Sequence, residues 1–290
     1  MKKFVAWGLK LHSHTHSYIH DSYCKAFSSL GWETQHFDGD TEVDVRDSIV
    51  LVSSHYEHNV PLHPSNKYIT HNCERDDFDN YERLSLQVYT NGIDSVGTSG
   101  EKLNEYTVFD GETKTLYQPW ATDLLPDEID TEYVENKEKN VVWVGTISRD
   151  NVHENYSEIL PFVEECHMNG LVFQSVDPWT NPVTNEEHIR LIRNAGVAPT
   201  IVGPWQNEND YIPCRIFKNI SYGNIGVTNS KMSKRIFGDT ILYGDGKELA
   251  EKYFDLSPKQ KKRMYEESSS LVKNKHTFIN RINTILEVMQ

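Results

Sequence analysis

Cysteine is scarce and scattered: Cys24, Cys73, Cys166 and Cys214 form no CxxC pair. That excludes a zinc ribbon and a disulfide framework, and it reads as reduced, mostly buried thiols in an intracellular protein. Basic residues are also in deficit, with 29 Lys and Arg against 43 Asp and Glu and a net charge of -14. Such a balance argues against non-specific affinity for nucleic acid or anionic membrane, which hold mainly to Lys and Arg. Long apolar runs are missing too. No stretch approaches the roughly 20 residues of a membrane span. The opening MKKFVAWGLKLHSH has an apolar run too short for a signal peptide and no small-residue cleavage site behind it. No short repeat or low-complexity tract occurs. A cytoplasmic protein with no transmembrane segment and no nucleic-acid partner is expected, and any basic site must be local.

The 290 residues suffice for two ordinary domains. Residues 3–11 read as a buried strand and 18–30 as a helix closed by Gly31. Strands are expected at 33–37, 47–52 and 67–72, separated by polar or helix-like material. Residues 90–100 read as a loop, and the polar, acidic stretch 126–140 as a linker. A second cycle follows. VVWVGT (141–146), LVFQSV, VAPTIVG and NIGVTN read as strands, while SEILPFVEECHMNG, EEHIRLIRNAG and IPCRIFKNISYG read as helices closed by Gly170, Gly196 and Gly223. Residues 258–290 carry a helical apolar stripe. Strands alternating with helices imply parallel sheets covered on both faces. The expected domains are 1–130, 131–275 and a C-terminal helix, 276–290, returning to the first.

Two constellations carry chemistry. LHSHTHSYIHD (11–21) places His12, His14, His16 and His20 after the first strand. In extended chain, residues two apart project to one side about 6.5 Å apart, close enough for two imidazoles to share an ion. The pattern is similar to the opening of polymerase-and-histidinol-phosphatase domains, which implies a metal-dependent phosphoesterase as an alternative function. Against it, no later Asp-x-His supplies the remaining ligands. DGD at 38–40 follows a weak strand and reads as a turn.

The second constellation is GPWQNENDYIPCRIFKNISYGNIGVTNS (203–230), where Arg215 and Lys218 share a helix face near an N-terminus whose free N–H groups favour an anion. Gly203 permits a sharp turn, and Trp205 or Tyr211 suits a base or sugar. The alternative is that both cations simply pair with surface acids such as Glu208 and Asp210.

The succession P-x-R-x-F-K-x-x-x-x-G, then an apolar strand and T-N, resembles the donor-binding element of GT-B nucleotide-sugar glycosyltransferases. LYQPWATD (116–123), VVWVGT and KHTFINRINTIL (275–286) resemble segments of the spore-maturation-type members in the same order. Size and composition resemble the compact glycosyltransferases of large algal viruses. The resemblance implies an α/β GT-B fold, two Rossmann-like doubly wound parallel-sheet domains facing a cleft, with the last helix crossing back. It implies transfer of a hexose or pentose from a nucleotide sugar, UDP-linked first (UDP-xylose among the donors) and GDP-linked next, to an oligosaccharide or glycoprotein acceptor. No metal or other cofactor is expected, and a virus-encoded enzyme would act in host cytoplasm. Lys218 stands where many families carry an acid that meets the donor ribose or sugar.

The residues the resemblance implies for the donor are Gly145, Thr146, Arg149, Gly203, Trp205, Tyr211, Arg215, Lys218 and Tyr222. An inverting reaction needs a base to take the acceptor proton, and Asp77, Asp76 and His16 are the candidates. His14, His16, Tyr18, Asp21, Tyr56 and Trp120 are the expected acceptor side. A non-catalytic nucleotide- or sugar-binding protein is a further alternative.

Overall fold

A computed structural model describes residues 2–8, 15–38, 42–52, 59–72, 76–89, 100–135, 137–150, 154–177 and 180–290, the side chains of 15–17 excepted. Along the chain run β1 (Lys3–Trp7), α1 (Thr15–Ser29), β2 (Glu33–Phe37), β3 (Ser48–Val52), β4 (Lys67–His71), β5 (Arg83–Gln87), β6 (Glu101–Asn104), β7 (Thr107–Asp110) and β8 (Thr115–Tyr117). There follow β9 (Asn140–Val144), α2 (Tyr156–Met168), β10 (Val172–Val176), α3 (Asn185–Asn194), α4 (Pro204–Glu208), α5 (Cys214–Ser221) and β11 (Val227–Thr228). The chain ends with α6 (Lys231–Phe237), β12 (Leu242–Tyr243), α7 (Gly246–Asp255), α8 (Pro258–Lys275) and α9 (Phe278–Val288). Two compact units result, one of residues 1–123 with 278–290, the other of residues 124–277.

The first unit is built on one sheet in the order β2-β1-β3-β4-β5-β8-β7-β6, parallel as far as β8 and antiparallel through β7 and β6. All five residues of β3, SIVLV, are buried, as a strand covered on both faces requires. On one face Phe4 stacks on Phe27 of α1 at 4.1 Å, and Tyr23 of α1 meets Phe278 of α9 at 4.7 Å. Val5, Trp7, Val50, Val52, Tyr68 and Phe78 form the core on the opposite face. Arg281 of α9 is almost fully buried, and this is tolerable only because its charge is spent on partners. It donates from Nε to the Pro119 carbonyl at 2.8 Å and from Nη2 to that of Trp120 at 2.9 Å, with its guanidinium 4.9 Å from the Tyr106 ring centroid. Thus LYQPWATD and KHTFINRINTIL meet.

The second unit pairs β9 with β10 and β11 with β12, both in parallel. Residues 197–203, expected as a strand, make only single parallel bridges among the described residues, Val197 to Val141 and Thr200 to Thr228. The reason is local chemistry. Pro199 has no N–H to donate, and asparagine side chains take up the backbone groups instead. Asn219 Nδ2 donates to Ala198 at 3.0 Å, while Asn229 accepts from the Val202 N–H at 2.8 Å and donates to its carbonyl at 2.9 Å. Val141, Trp143, Ile159, Phe162, Val197, Ile225, Val227 and Leu249 lie in the core they enclose.

Three other expectations change. The first strand stops at Trp7, where Gly8 turns at φ +150. The segment 126–140 is not a free linker but a strap on the second unit: Tyr265 donates to the Asp130 carbonyl at 2.7 Å, Lys273 to that of Ile129 at 3.2 Å, and Lys137 to that of Gly223 at 2.8 Å. Its polar composition hides these acceptors, which are backbone carbonyls. The tail is two helices, broken at His276 and Thr277, where His276 is buried against Phe217 (4.9 Å) and Phe237 (5.5 Å). The loop expected at 90–100 lies, but for its last residue, outside the described residues.

Candidate functional site

The second unit assembles its basic cluster from the end of β9 and one face of α5. Pro213, at φ −67, sets the entry to α5, and Arg215, Lys218 and Tyr222 follow at spacings of three and four, so that one ridge carries all three. The ridge meets the turn after β9. There Gly145 adopts φ +137, and a Cβ on it would stand 2.5 Å from Arg215 Nη2. The dihedral therefore demands glycine, and a side chain here would displace the Arg215 guanidinium. The Arg215 guanidinium lies 3.9 Å from the Trp143 ring centroid, and Trp143 Nε1 donates to the Gly145 carbonyl at 2.9 Å. Burial lowers the Arg215 pKa from its ordinary value, but an arginine so shifted remains a cation.

Lys218 is buried, with Nζ 5.7 Å from the centroid of the Tyr222 ring. His188 of α3 stands edge-on to the same Tyr222 ring at 5.3 Å. Its Nε2 is buried with no hydrogen-bond partner. Burial first, then the charges of Lys218 and Arg215, hold the His188 pKa well below 6.5, so the ring is neutral at neutral pH. Position 188 gave no sign of this in sequence, since His188 and the α5 ridge meet only through the fold.

The loop after β9 is braced by Asn155. The side chain accepts from the Ser148 N–H at 2.9 Å and donates to the Thr146 carbonyl at 3.2 Å. Thr146 and Arg149 are exposed, and the Arg149 guanidinium lies 4.0 Å from the Tyr156 ring centroid. Gly203 caps α4 where a Cβ would stand 1.6 Å from the Glu154 carbonyl oxygen, a contact only glycine permits. Trp205 and Tyr211 are half-buried, Trp205 on α4 and Tyr211 two residues before Pro213 at the entry to α5. Gly145, Arg215, Lys218 and Tyr222 thus come together.

In the first unit the expected residues are more dispersed. Asp76 and Asp77 are exposed on a single 3-10 turn, Asp76–Phe78, beyond β4. Asp21 pairs with His36 at 2.9 Å, and the other nitrogen of that ring lies 3.1 Å from the Gly8 carbonyl. The Tyr18 hydroxyl donates to the Ala121 carbonyl at 3.4 Å. Trp120, expected on the acceptor side, is buried with its ring 4.2 Å from His71. His12, His14, Tyr56 and the side chain of His16 lie outside the described residues, as do two of the three residues of DGD. No group of three His, Cys, Asp or Glu among the described residues is placed to hold a metal ion.

Residues 151–287 match the family model described as glycosyl transferase-like. No curated protein matches the chain. Among solved structures, an alpha-glucosyltransferase in complex with UDP and a 13-mer DNA containing an HMU base is similar at TM-score 0.65 and 7% identity, covering 99% of each chain. A glycosyltransferase from Rickettsia africae ESF-5 is similar at TM-score 0.52 and 10% identity, covering 99% of this chain and 97% of that one. The chain has a GT-B fold, and the match of residues 151–287 to a glycosyl transferase-like model marks it as a transferase enzyme.

Proposed function

We propose that the protein moves a sugar from a nucleotide-sugar donor, a UDP-sugar first, to a hydroxyl of an oligosaccharide or glycoprotein acceptor. The observation that carries this is the pair of cations, Arg215 and Lys218, on one ridge of α5 against the glycine turn that ends β9. When the glycosidic bond to the donor breaks, a nucleoside diphosphate departs with growing negative charge, and preorganised cations lower the energy of that state. Arg215 is already held by Trp143, so little reorganisation is needed as charge develops. We infer that these side chains replace a metal, and activity that survives EDTA would support that reading. UDP is favoured because a fold neighbour is seen with UDP bound.

If the anomeric centre inverts, Asp77, Asp76 or His16 is the base that takes the acceptor proton. Asp76 and Asp77 are exposed carboxylates beyond a parallel strand's C-terminal end, where α/β sheets place ligands. The narrower reading of a spore-maturation-type enzyme is supported by LYQPWATD, VVWVGT and KHTFINRINTIL, and that of an enzyme encoded by a large algal virus and using UDP-xylose in host cytoplasm by size and composition. No helix among the described residues is long and apolar enough to cross a membrane.

A second acceptor reading has one observation behind it, the DNA bound to that same fold neighbour. The net charge of -14 opposes it. The test is UDP release from a panel of UDP-sugars, first with water and then with glycan or duplex-DNA acceptors. Donor-specific release stimulated by a glycan supports the proposal, stimulation by DNA alone selects the second reading, and no release from any nucleotide sugar overturns both.

A further inference from the structure

The donor cluster holds a third nitrogen base that the cations alone do not explain. His188 Nε2 is buried and makes no hydrogen bond. Buried polar atoms are nearly always paired, and one that is not calls for a physical account, a functional contact among them. The ring cannot easily turn away, because it stands edge-on to Tyr222 at 5.3 Å and Tyr222 is itself buried.

The charges around it have one sign. From α5 it faces Lys218 and Arg215, whose positive charges both act on it, together with the neutral Tyr222. On its own helix Glu187 is occupied by Arg190, at 2.6 and 2.7 Å, in an exposed position, and Arg193 donates to the Tyr222 carbonyl at 3.4 Å. The charges that shift the ring are those of Lys218 and Arg215. A third positive charge is therefore disfavoured while the cluster is empty of an anion. A bound diphosphate reverses the local field, and the same imidazole is then stabilised as a cation.

We propose that His188 is a third contact to the donor diphosphate and that its imidazole takes up a proton from solvent as that anion binds. Before binding the ring carries one N–H; afterwards it carries two, and Nε2–H donates to a phosphate oxygen. No bond in the sugar changes at this step. The inference rests on the reading of the α5 ridge as a diphosphate site. By linkage, donor affinity rises as pH falls toward the range where the free ring would itself protonate.

The test is calorimetry of UDP-glucose binding to the full chain at pH 6.5, in PIPES and in imidazole buffer. A diphosphate diester has no proton of its own to exchange near this pH, so a buffer-dependent heat reports the protein. The expected result is uptake of a large fraction of one proton. The His188→Gln variant should abolish that uptake and weaken binding about tenfold at pH 6.5 and less at pH 8. Wild-type binding with no buffer dependence, or a His188→Gln protein with wild-type affinity at both pH values, overturns the inference and leaves the diphosphate site standing. Failure of UDP-glucose, UDP and inorganic diphosphate all to bind overturns the site itself, and the inference with it. The wild-type buffer comparison requires no variant, so it decides the matter even where the substitution impairs folding.

Discussion

Arg215 lies over the ring of Trp143, its guanidinium 3.9 Å from the ring centroid, and so a cation from α5 is fixed against the first strand of the second unit. Such a contact contributes on the order of 0.5–2 kcal/mol. Its larger effect is on geometry, because it holds the donor group before any anion arrives.

Gly145→Ala should disturb that arrangement directly. The new Cβ would stand 2.5 Å from Arg215 Nη2, on a residue at φ +137. A cost of about 1–3 kcal/mol in stability is expected from the dihedral alone, with a weaker affinity for UDP as Arg215 is displaced. Urea unfolding and nucleotide titration of the same protein check both.

Arg281→Met should be costly for another reason. It leaves the carbonyls of Pro119 and Trp120 without the bonds they now accept at 2.8 and 2.9 Å, in a buried place. A loss of about 3 kcal/mol is expected in urea unfolding. A variant as stable as the parent would show that the buried charge contributes nothing net.

Acid should weaken the unliganded fold through His188. The ring is held neutral in the folded protein, whereas the unfolded chain protonates it below about 6.5. The unfolded state then binds more protons, so this contribution is intact above that pH and is lost as pH falls below it. His188→Gln should show a smaller drop in urea midpoint between pH 7 and pH 5 than the parent.

Cys166 should resist alkylation. Burial first, and the neighbouring Glu165 charge second, push its thiol up to about 12, and the thiolate is the reactive form. At pH 8 iodoacetamide should label half-buried Cys24 and Cys214 ahead of it, with Cys166 modified only on unfolding, as peptide mass spectrometry would show.

Periodicity and punctuation made much of this fold legible before any coordinates. Gly31 and Gly170 do end their helices at φ +81 and +82, and Gly223 follows α5 at φ +111, because left-handed turns are written in single residues. What sequence concealed is what depends on distant partners. Residues 197–203 look like a strand, yet Asn219 and Asn229 from elsewhere satisfy them. β6, β12 and α7 passed unread, their signals being short or polar. At the site, Arg215 and Lys218 were visible as a helical pair, but Trp143 beneath the one and His188 beside the other were not, since neither shares a local pattern with α5. Gly196 follows the Ala195 cap of α3, as expected of a helix end, and is also a close approach, where a Cβ would stand 2.6 Å from the Glu138 carbonyl oxygen.

The most direct test of the account is titration of UDP into the parent protein and into Arg215→Ala, with EDTA present. Loss of a charge-assisted hydrogen bond of about 1.5–3 kcal/mol should weaken binding by roughly 10- to 150-fold while thermal unfolding of the unliganded proteins stays within a few degrees. Equal UDP affinity in the two proteins would contradict the assignment of the α5 ridge as the donor diphosphate site.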